Sequence, residues 1–175
     1  KNDKKQGGGA EQYSHFGSHI LHYLEWFCGP IKILNSNLYN YKNYFNTGDT
    51  LTNFSGKFKS EVSYSATICT AATFGMGHRI DFYGENGCIT LINDNASYLD
   101  FSLIVQKYIN GQHERKVYRS KLSNLKDNSD ERITPVSKLA KRFILSIIND
   151  DQMKPSFEDA LKVQIYLENK FYKVN

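Results

Sequence analysis

The stretch "HRIDFYGENGCITLIN", His78 to Asn93, decides the fold. Aromatic and β-branched residues alternate with polar ones on both sides of Glu85-Asn86-Gly87. An Asn-Gly pair between two such runs is a strong hairpin signal, and strands joined by so short a turn are antiparallel. The same texture continues outward. Upstream, "KFKSEVSYSATIC" (Lys57 to Cys69) reads as one strand alternating through Phe58, Val62, Tyr64, Ala66 and Ile68, and "FGMG" then turns the chain. Before it, "TLTNF" (Thr50 to Phe54) reads as a strand ended by Ser55-Gly56, and "IKILNSNLYNY" (Ile31 to Tyr41) as another. Downstream, "YLDFSLIVQKY" and "HERKVYR" form a pair across Asn110-Gly111. The spacing of turns predicts an antiparallel meander of about six or seven strands.

Helices flank this meander. One is predicted from Tyr13 to Phe27 and is stopped by Gly29-Pro30. Projected at about 100° per residue, Phe16, Gly17, Ile20, Leu21, Leu24 and Phe27 share one side, and His15, His19, His22 and Trp26 the other. Near the end of the chain, Thr134-Pro135 reads as an N-cap with proline at the first helical position. Behind it Val136, Leu139, Ala140, Phe143, Ile144, Ile147 and Ile148 form a stripe expected to face the core. Pro155-Ser156 opens a last helix with Asp159 placed for a capping box and with Ala160, Leu161, Ile165, Leu167 and Phe171 as its apolar side. The expected fold is α+β: a two-layer domain whose mostly antiparallel sheet has helices packed on one face and its other face open for oligomerisation. Residues 1–12 read as a flexible lead-in, 13–175 as a single domain, and Leu125 to Ile133 as a polar loop within it.

Composition narrows the function. The chain has 175 residues, 40% of them hydrophobic and 14% aromatic, which excludes a disordered linker. No apolar run approaches a membrane span, and the first residues do not form a signal peptide. The net charge of +4 is spread along the chain, so neither a nucleic-acid groove nor a membrane is expected as partner. Cys28, Cys69 and Cys88 are odd in number and have no metal-type spacing, so they are read as reduced thiols of a cytoplasmic protein. The opening "KNDKKQGGGA" has no initiator Met and reads like part of a longer polypeptide.

The chemistry concentrates on the first helix, which holds three of the five histidines. Positions i, i+4 and i+7 fall in one row, and His15, His19 and His22 occupy them off the core stripe. Imidazole changes charge near neutrality and serves as acid, base or ligand. In one reading His15 and His19 chelate a metal for a hydrolase, but the H-E-x-x-H pattern is absent because Phe16 follows His15. In the other, His19 is a general acid/base at the end of a substrate pocket, tuned by His15 and His22. The second is preferred, and no metal site is assigned. Trp26 suits stacking on a sugar ring or packing against a neighbouring surface. Neither Gly7 to Gly9 nor Gly75 to Gly77 continues as G-x-G-x-x-G, so no cofactor-binding residue is assigned.

"GGGA…GSHILHYLEWFCGPI" resembles the start of the substrate domain of the glucose–fructose oxidoreductase/inositol dehydrogenase family (Gfo/Idh/MocA). Gly17-Ser18-His19 matches its G-x-H, and Trp26, Phe27 and Gly29 match the helix end. "HRIDFYGENGCITL" is similar to the family's glycine-punctuated hairpin, and "RITPVSKLAKRFILSIIN" with "PSFEDALKVQIYLE" to its closing helices. The resemblance runs from Gly7 to about Phe171. It implies an NAD- or NADP-dependent oxidoreductase acting on a sugar, polyol or nucleotide sugar, with the cofactor held by a Rossmann domain and an active-site Lys that this chain lacks. It implies a catalytic role for His19, with His15 as its companion, and a homodimer or homotetramer through the open sheet face. His22 and Trp26 are assigned to substrate binding. His15 and His22 stand where the family often has Asp, so a non-catalytic binding or assembly domain is the alternative. This chain alone is expected to bind no cofactor and to be inactive.

Overall fold

The computed structural model describes residues 11–39, 49–75, 77–95, 97, 99–120, 130–169 and 171–173. Its elements are α1 (Glu11–Cys28), β1 (Ile31–Tyr39), β2 (Leu51–Phe58), β3 (Ser63–Cys69), β4 (His78–Gly84), β5 (Gly87–Asn93), β6 (Ser102–Ile109), β7 (Gln112–Arg119), α2 (Ile133–Asn149), α3 (Phe157–Glu168) and β8 (Phe171–Lys173). The fold is α+β and its pairings are antiparallel, as expected. The expected continuous meander is instead two four-stranded sheets, ordered β3-β2-β1-β8 and β4-β5-β6-β7. They belong to two compact units, Lys1–Gly75 with Gln152–Asn175, and Met76–Asp151. The sequence reading missed this break because strand texture resumes at once beyond the turn, at His78.

The first unit holds the apolar core. Tyr13, Leu21 and Leu24 of α1 pack with Ile31 and Leu34, Phe54 and Phe58, Ile68, and Val163 and Tyr166 of α3. Ile31 and Leu34 are both buried although strand alternation cannot put positions three apart on one face. The β1–β2 register shifts between Ile31 and Ile33, and this irregularity changes the phase of the strand. From Leu34 onward the alternation is regular, with Leu38 packed against the same core.

Ser55-Gly56 does not end β2, which runs on to Phe58. Gly56 pairs with Leu34 on one side and Tyr64 on the other. A Cβ there would lie 1.8 Å from the Ile33 carbonyl oxygen, and the Tyr64 hydroxyl donates to that same oxygen at 3.1 Å. Glycine here allows close approach of backbone within a central strand; it is not a terminator. The strand read across Lys57 to Cys69 is in fact the end of β2, a turn, and β3. The turn has no Gly, Asn or Asp to announce it. Glu61 takes the left-handed position at φ 64°, and its carboxylate meets Lys32 and Lys57.

Burial also revises the helix faces. Gly17, Leu21 and Leu24 of α1 lie inward as read, but Phe16 and Phe27 are exposed. They sit at the edge of the stripe, and the centre is taken by Tyr13, which the projection left out. On α3 the Ser156–Asp159 capping box is present. Its buried residues are Val163 and Tyr166, whereas Leu161 and Ile165 are exposed. The side chain of Phe171 lies outside the described set, but its backbone is in β8 rather than in the helix.

The second unit is the predicted hairpin extended by a second one. Gly84 pairs with Gly87, so Glu85 and Asn86 form the loop, and Gly87 opens β5. A Cβ on Gly87 would meet the Gln106 carbonyl oxygen at 2.1 Å. Asn110 and Gly111 both have positive φ, 51° and 75°, as their turn signal requires. Helix α2 starts two residues earlier than read, with Arg132 at the N-cap and no side-chain capping bond. Its apolar stripe is not a core face, because none of its residues is buried. Phe143, Ile147 and Ile148 are all more than half exposed, at 56%, 65% and 71%. Among the described residues, the sheet of this unit has no helix packed extensively on it. The expected lead-in up to Ala10, Asn40-Tyr41 of the first strand, and most of the polar loop before Asp130 lie outside the described residues.

Three core tyrosines set an alkaline limit. Burial raises the pKa of Tyr13 and Tyr64, and pushes that of Tyr23 up to about 12. An unfolded tyrosine ionises near about pH 10, so the stability these groups contribute is complete below that value and falls as pH rises through the folded range. In a spectrophotometric titration, this group of phenols is expected to ionise late and together with loss of β-sheet circular dichroism. Normal, early ionisation of every tyrosine with the fold intact would contradict this.

Candidate functional site

Helix α1 is fastened at both ends, and the fastening presents its histidine row outward. Near its start the Tyr13 backbone N–H donates to Asp49 Oδ2 at 2.8 Å, and the Thr52 hydroxyl donates to the same oxygen at 2.7 Å. The Tyr13 hydroxyl donates to the Tyr166 carbonyl at 3.1 Å and lies 3.1 Å from Ser36 Oγ, while its ring stacks on Phe54 at 5.5 Å. Near the other end, Glu25 Oε1 accepts from the Ile31 backbone N–H at 3.0 Å and from the Tyr166 hydroxyl at 2.5 Å. Tyr166 therefore touches both ends of α1. Between them Gly17 lets the helix lie close over β2, since a Cβ there would stand 3.0 Å from Phe54 Cζ.

Tyr166→Phe keeps the carbonyl that receives Tyr13 but removes the donor to Glu25. A hydrogen bond to a charged group is worth about 1.5–3 kcal/mol, so equilibrium denaturation is expected to show a loss of that order. Faster amide exchange at Ile31 should accompany it. Unchanged stability and exchange would show that this bond does not hold the helix end.

The outward face carries the predicted residues. His15 and His19 are exposed, His22 is half-buried, and Trp26 is 74% exposed. The His15 and His19 rings meet edge to face with centroids 6.2 Å apart. His15 also contacts the Phe16 ring at 4.9 Å. Trp26 stacks on Phe27 at 6.2 Å and 8°, giving a flat aromatic surface at the end of the row. Among the described residues no hydrogen bond engages an imidazole nitrogen of the three, so no carboxylate orients them. The row is brought together on one side of the helix, with His15, His19 and Trp26 exposed and His22 half-buried among the described residues.

Sequence reasoning missed the residues that hold the helix: Asp49, Glu25 and Tyr166. Asp49 is buried, yet its position in a polar stretch gave no sign of that. Glu25 and Tyr166 are 141 positions apart, and only the packing of α1 on α3 joins them. An open depression of about 430 Å³ on the second unit is lined by residues including Tyr83, Cys88, Val105 and Lys107, with no histidine. Among the described residues no group of three or more His, Cys, Asp or Glu is placed to hold a metal. Gly77 leads directly into strand β4, not into a helix, so it cannot cradle a dinucleotide pyrophosphate. Gly7 to Gly9 lie outside the described residues. No described helix is long and apolar enough to cross a membrane.

The family model for "Oxidoreductase family, C-terminal alpha/beta domain" matches residues 1–172, and the chain belongs to that family, Gfo/Idh/MocA. An uncharacterized oxidoreductase of Synechocystis is 24% identical over 94% of this chain and 47% of its own length. The chain thus spans about half of that relative. An Agrobacterium radiobacter oxidoreductase, solved with NAD+, L-tartaric acid and magnesium, superposes with a TM-score of 0.72 at 14% identity, over 91% of this chain and 46% of that one. Levoglucosan dehydrogenase, solved with NADH and levoglucosan, gives 0.68 at 14% identity, over 88% and 45%. At such identities the solved structures establish the fold.

Proposed function

We propose that residues 13–175 form the substrate-binding and oligomerisation domain of a cytoplasmic NAD- or NADP-dependent oxidoreductase acting on a hydroxyl or carbonyl of a sugar, polyol or nucleotide sugar. The observation that carries the reading is the histidine row of α1, backed by the core, with His15 and His19 exposed among the described residues. A nicotinamide nucleotide held by the rest of the polypeptide supplies the hydride acceptor. The residues of this chain handle the proton. As the alcohol carbon is oxidised, its hydroxyl proton passes to an imidazole nitrogen of His19; in the reverse direction the imidazolium returns it. His15, in ring contact with His19 and open to water, passes that proton to solvent. His22 and the Trp26–Phe27 surface line the substrate side, where an aromatic face suits a sugar ring. No described residue of this chain forms a cofactor cradle, and on this reading the chain alone is inactive. Homodimers or homotetramers form through an exposed sheet face.

One observation favours a second reading. No carboxylate among the described residues reaches His19, so its imidazolium lacks the fixed anion that often accompanies such a base. On that reading the domain binds ligands without turnover. Assay of the full-length polypeptide against a panel of sugars and polyols with both nicotinamide nucleotides separates the two. Substrate-dependent nucleotide reduction supports the oxidoreductase. Tight nucleotide binding with no reduction by any of them supports the binding domain.

A further inference from the structure

We propose that His15 and His19 together form a binding site for a divalent transition-metal ion, preferring Cu²⁺ over Ni²⁺ and Zn²⁺. The two residues are one helical turn apart, at i and i+4, where side chains share a face. Their rings already touch, with centroids 6.2 Å apart, and both are exposed, so neither must leave a packed position to turn inward. Two imidazoles at the usual Zn–N length of about 2.0–2.1 Å bring their centroids to roughly 5 Å, which small side-chain rotations of these rings can reach.

The surroundings favour a cation. α1 contains no Lys or Arg. The imidazole nitrogens of both residues have no hydrogen-bond partner among the described residues, so none need be broken. The Ser18 hydroxyl turns back to the His15 carbonyl at 2.8 Å and stays off the ring. Fastening of α1 through Tyr13, Glu25 and Tyr166 keeps the pair on a rigid rod, which lowers the ordering cost of chelation. With two protein ligands, the remaining coordination positions are left to water. The site is therefore distinct from a closed structural centre of four ligands. Neutral imidazole suits Cu²⁺, Ni²⁺ and Zn²⁺, and among them Cu²⁺ binds tightest on the general order of first-row affinities.

The consequence for function rests on the proposed proton-transfer role. A metal and a proton compete for the same imidazole lone pairs, so a bound cation would silence His19 as an acid/base. Binding itself does not depend on that role and is measured separately.

The test is calorimetric titration of CuCl₂, NiCl₂ and ZnCl₂ into the untagged full chain, with Cys28, Cys69 and Cys88 changed to Ser to remove thiol sites. One ion per chain is expected, in the order Cu²⁺, then Ni²⁺ and Zn²⁺, with nitrogen ligands visible in the Cu²⁺ electron paramagnetic resonance spectrum. Outer partners of metal ligands alone are worth about 10–100-fold, so His15→Ala and His19→Ala should each weaken binding by at least about tenfold. His22→Ala should leave it nearly unchanged. All three positions are at the surface or partly so, and circular dichroism confirms that each variant is folded. No saturable binding, or binding insensitive to His15→Ala and His19→Ala, would overturn the site. Equal loss in His22→Ala would overturn the assignment to this pair. If binding is as expected but the ion does not inhibit an active full-length enzyme, the site stands and the proton role of His19 fails.

Discussion

His19→Asn in the full-length polypeptide is expected to lower kcat by about 10²–10⁴-fold, the usual contribution of a positioned acid/base. Asparagine retains hydrogen-bonding capacity but cannot carry the proton. Nicotinamide-nucleotide affinity should be nearly unchanged, because no described residue of this chain forms a dinucleotide cradle. His19 is exposed and makes no described hydrogen bond through its ring, so the loss should come without a loss of thermal stability. Steady-state kinetics and nucleotide fluorescence titration on the same samples check all three points. A variant that retains most of its turnover would remove His19 from the chemistry.

The largest structural effect is expected from Gly56→Ala. The added methyl would lie 1.8 Å from the Ile33 carbonyl oxygen and 2.7 Å from its carbon. Those are backbone atoms of the paired strand and have no rotamer by which to move aside. Relief requires β1 and β2 to separate where Leu34, Phe54 and Phe58 make the core. Ordinary overpacking costs about 1–3 kcal/mol when side chains can adjust, and here the cost should reach or pass the top of that range. Equilibrium denaturation should show it, together with loss of the tyrosine hydrogen bond from Tyr64 to Ile33. A variant as stable as the parent would mean that β1 and β2 are not paired in this register.

The fold was largely legible because local signals agree with it. Hairpin turns at Glu85-Asn86-Gly87 and Asn110-Gly111, the Ser156 cap and the Gly29 helix stop are set by nearby residues, and each is found close to where the sequence places it. What was not legible depended on distant partners. The turn at Glu61 has no Gly, Asn or Asp and is accompanied by ion pairs with Lys32 and Lys57. Gly56 looks like punctuation until the Ile33 carbonyl is placed beside it. The α2 stripe has the right period for burial, but periodicity cannot say whether a partner is present, and none of its residues is buried.

The candidate site divides in the same way. The histidine row follows from helical spacing alone, so His15, His19, His22 and Trp26 could be grouped from the sequence. The Asp49, Glu25 and Tyr166 contacts that fix the row in place join residues far apart in the chain, and no local pattern foretells them.

The most direct test of the central claim is a structure of the full-length polypeptide with a nicotinamide nucleotide and a bound sugar or polyol. The nicotinamide ring and the reacting carbon should lie against the α1 face that carries His15, His19 and His22, with the substrate hydroxyl within hydrogen-bond distance of His19. A nicotinamide ring bound elsewhere, with the histidine row of α1 left facing solvent, would contradict it.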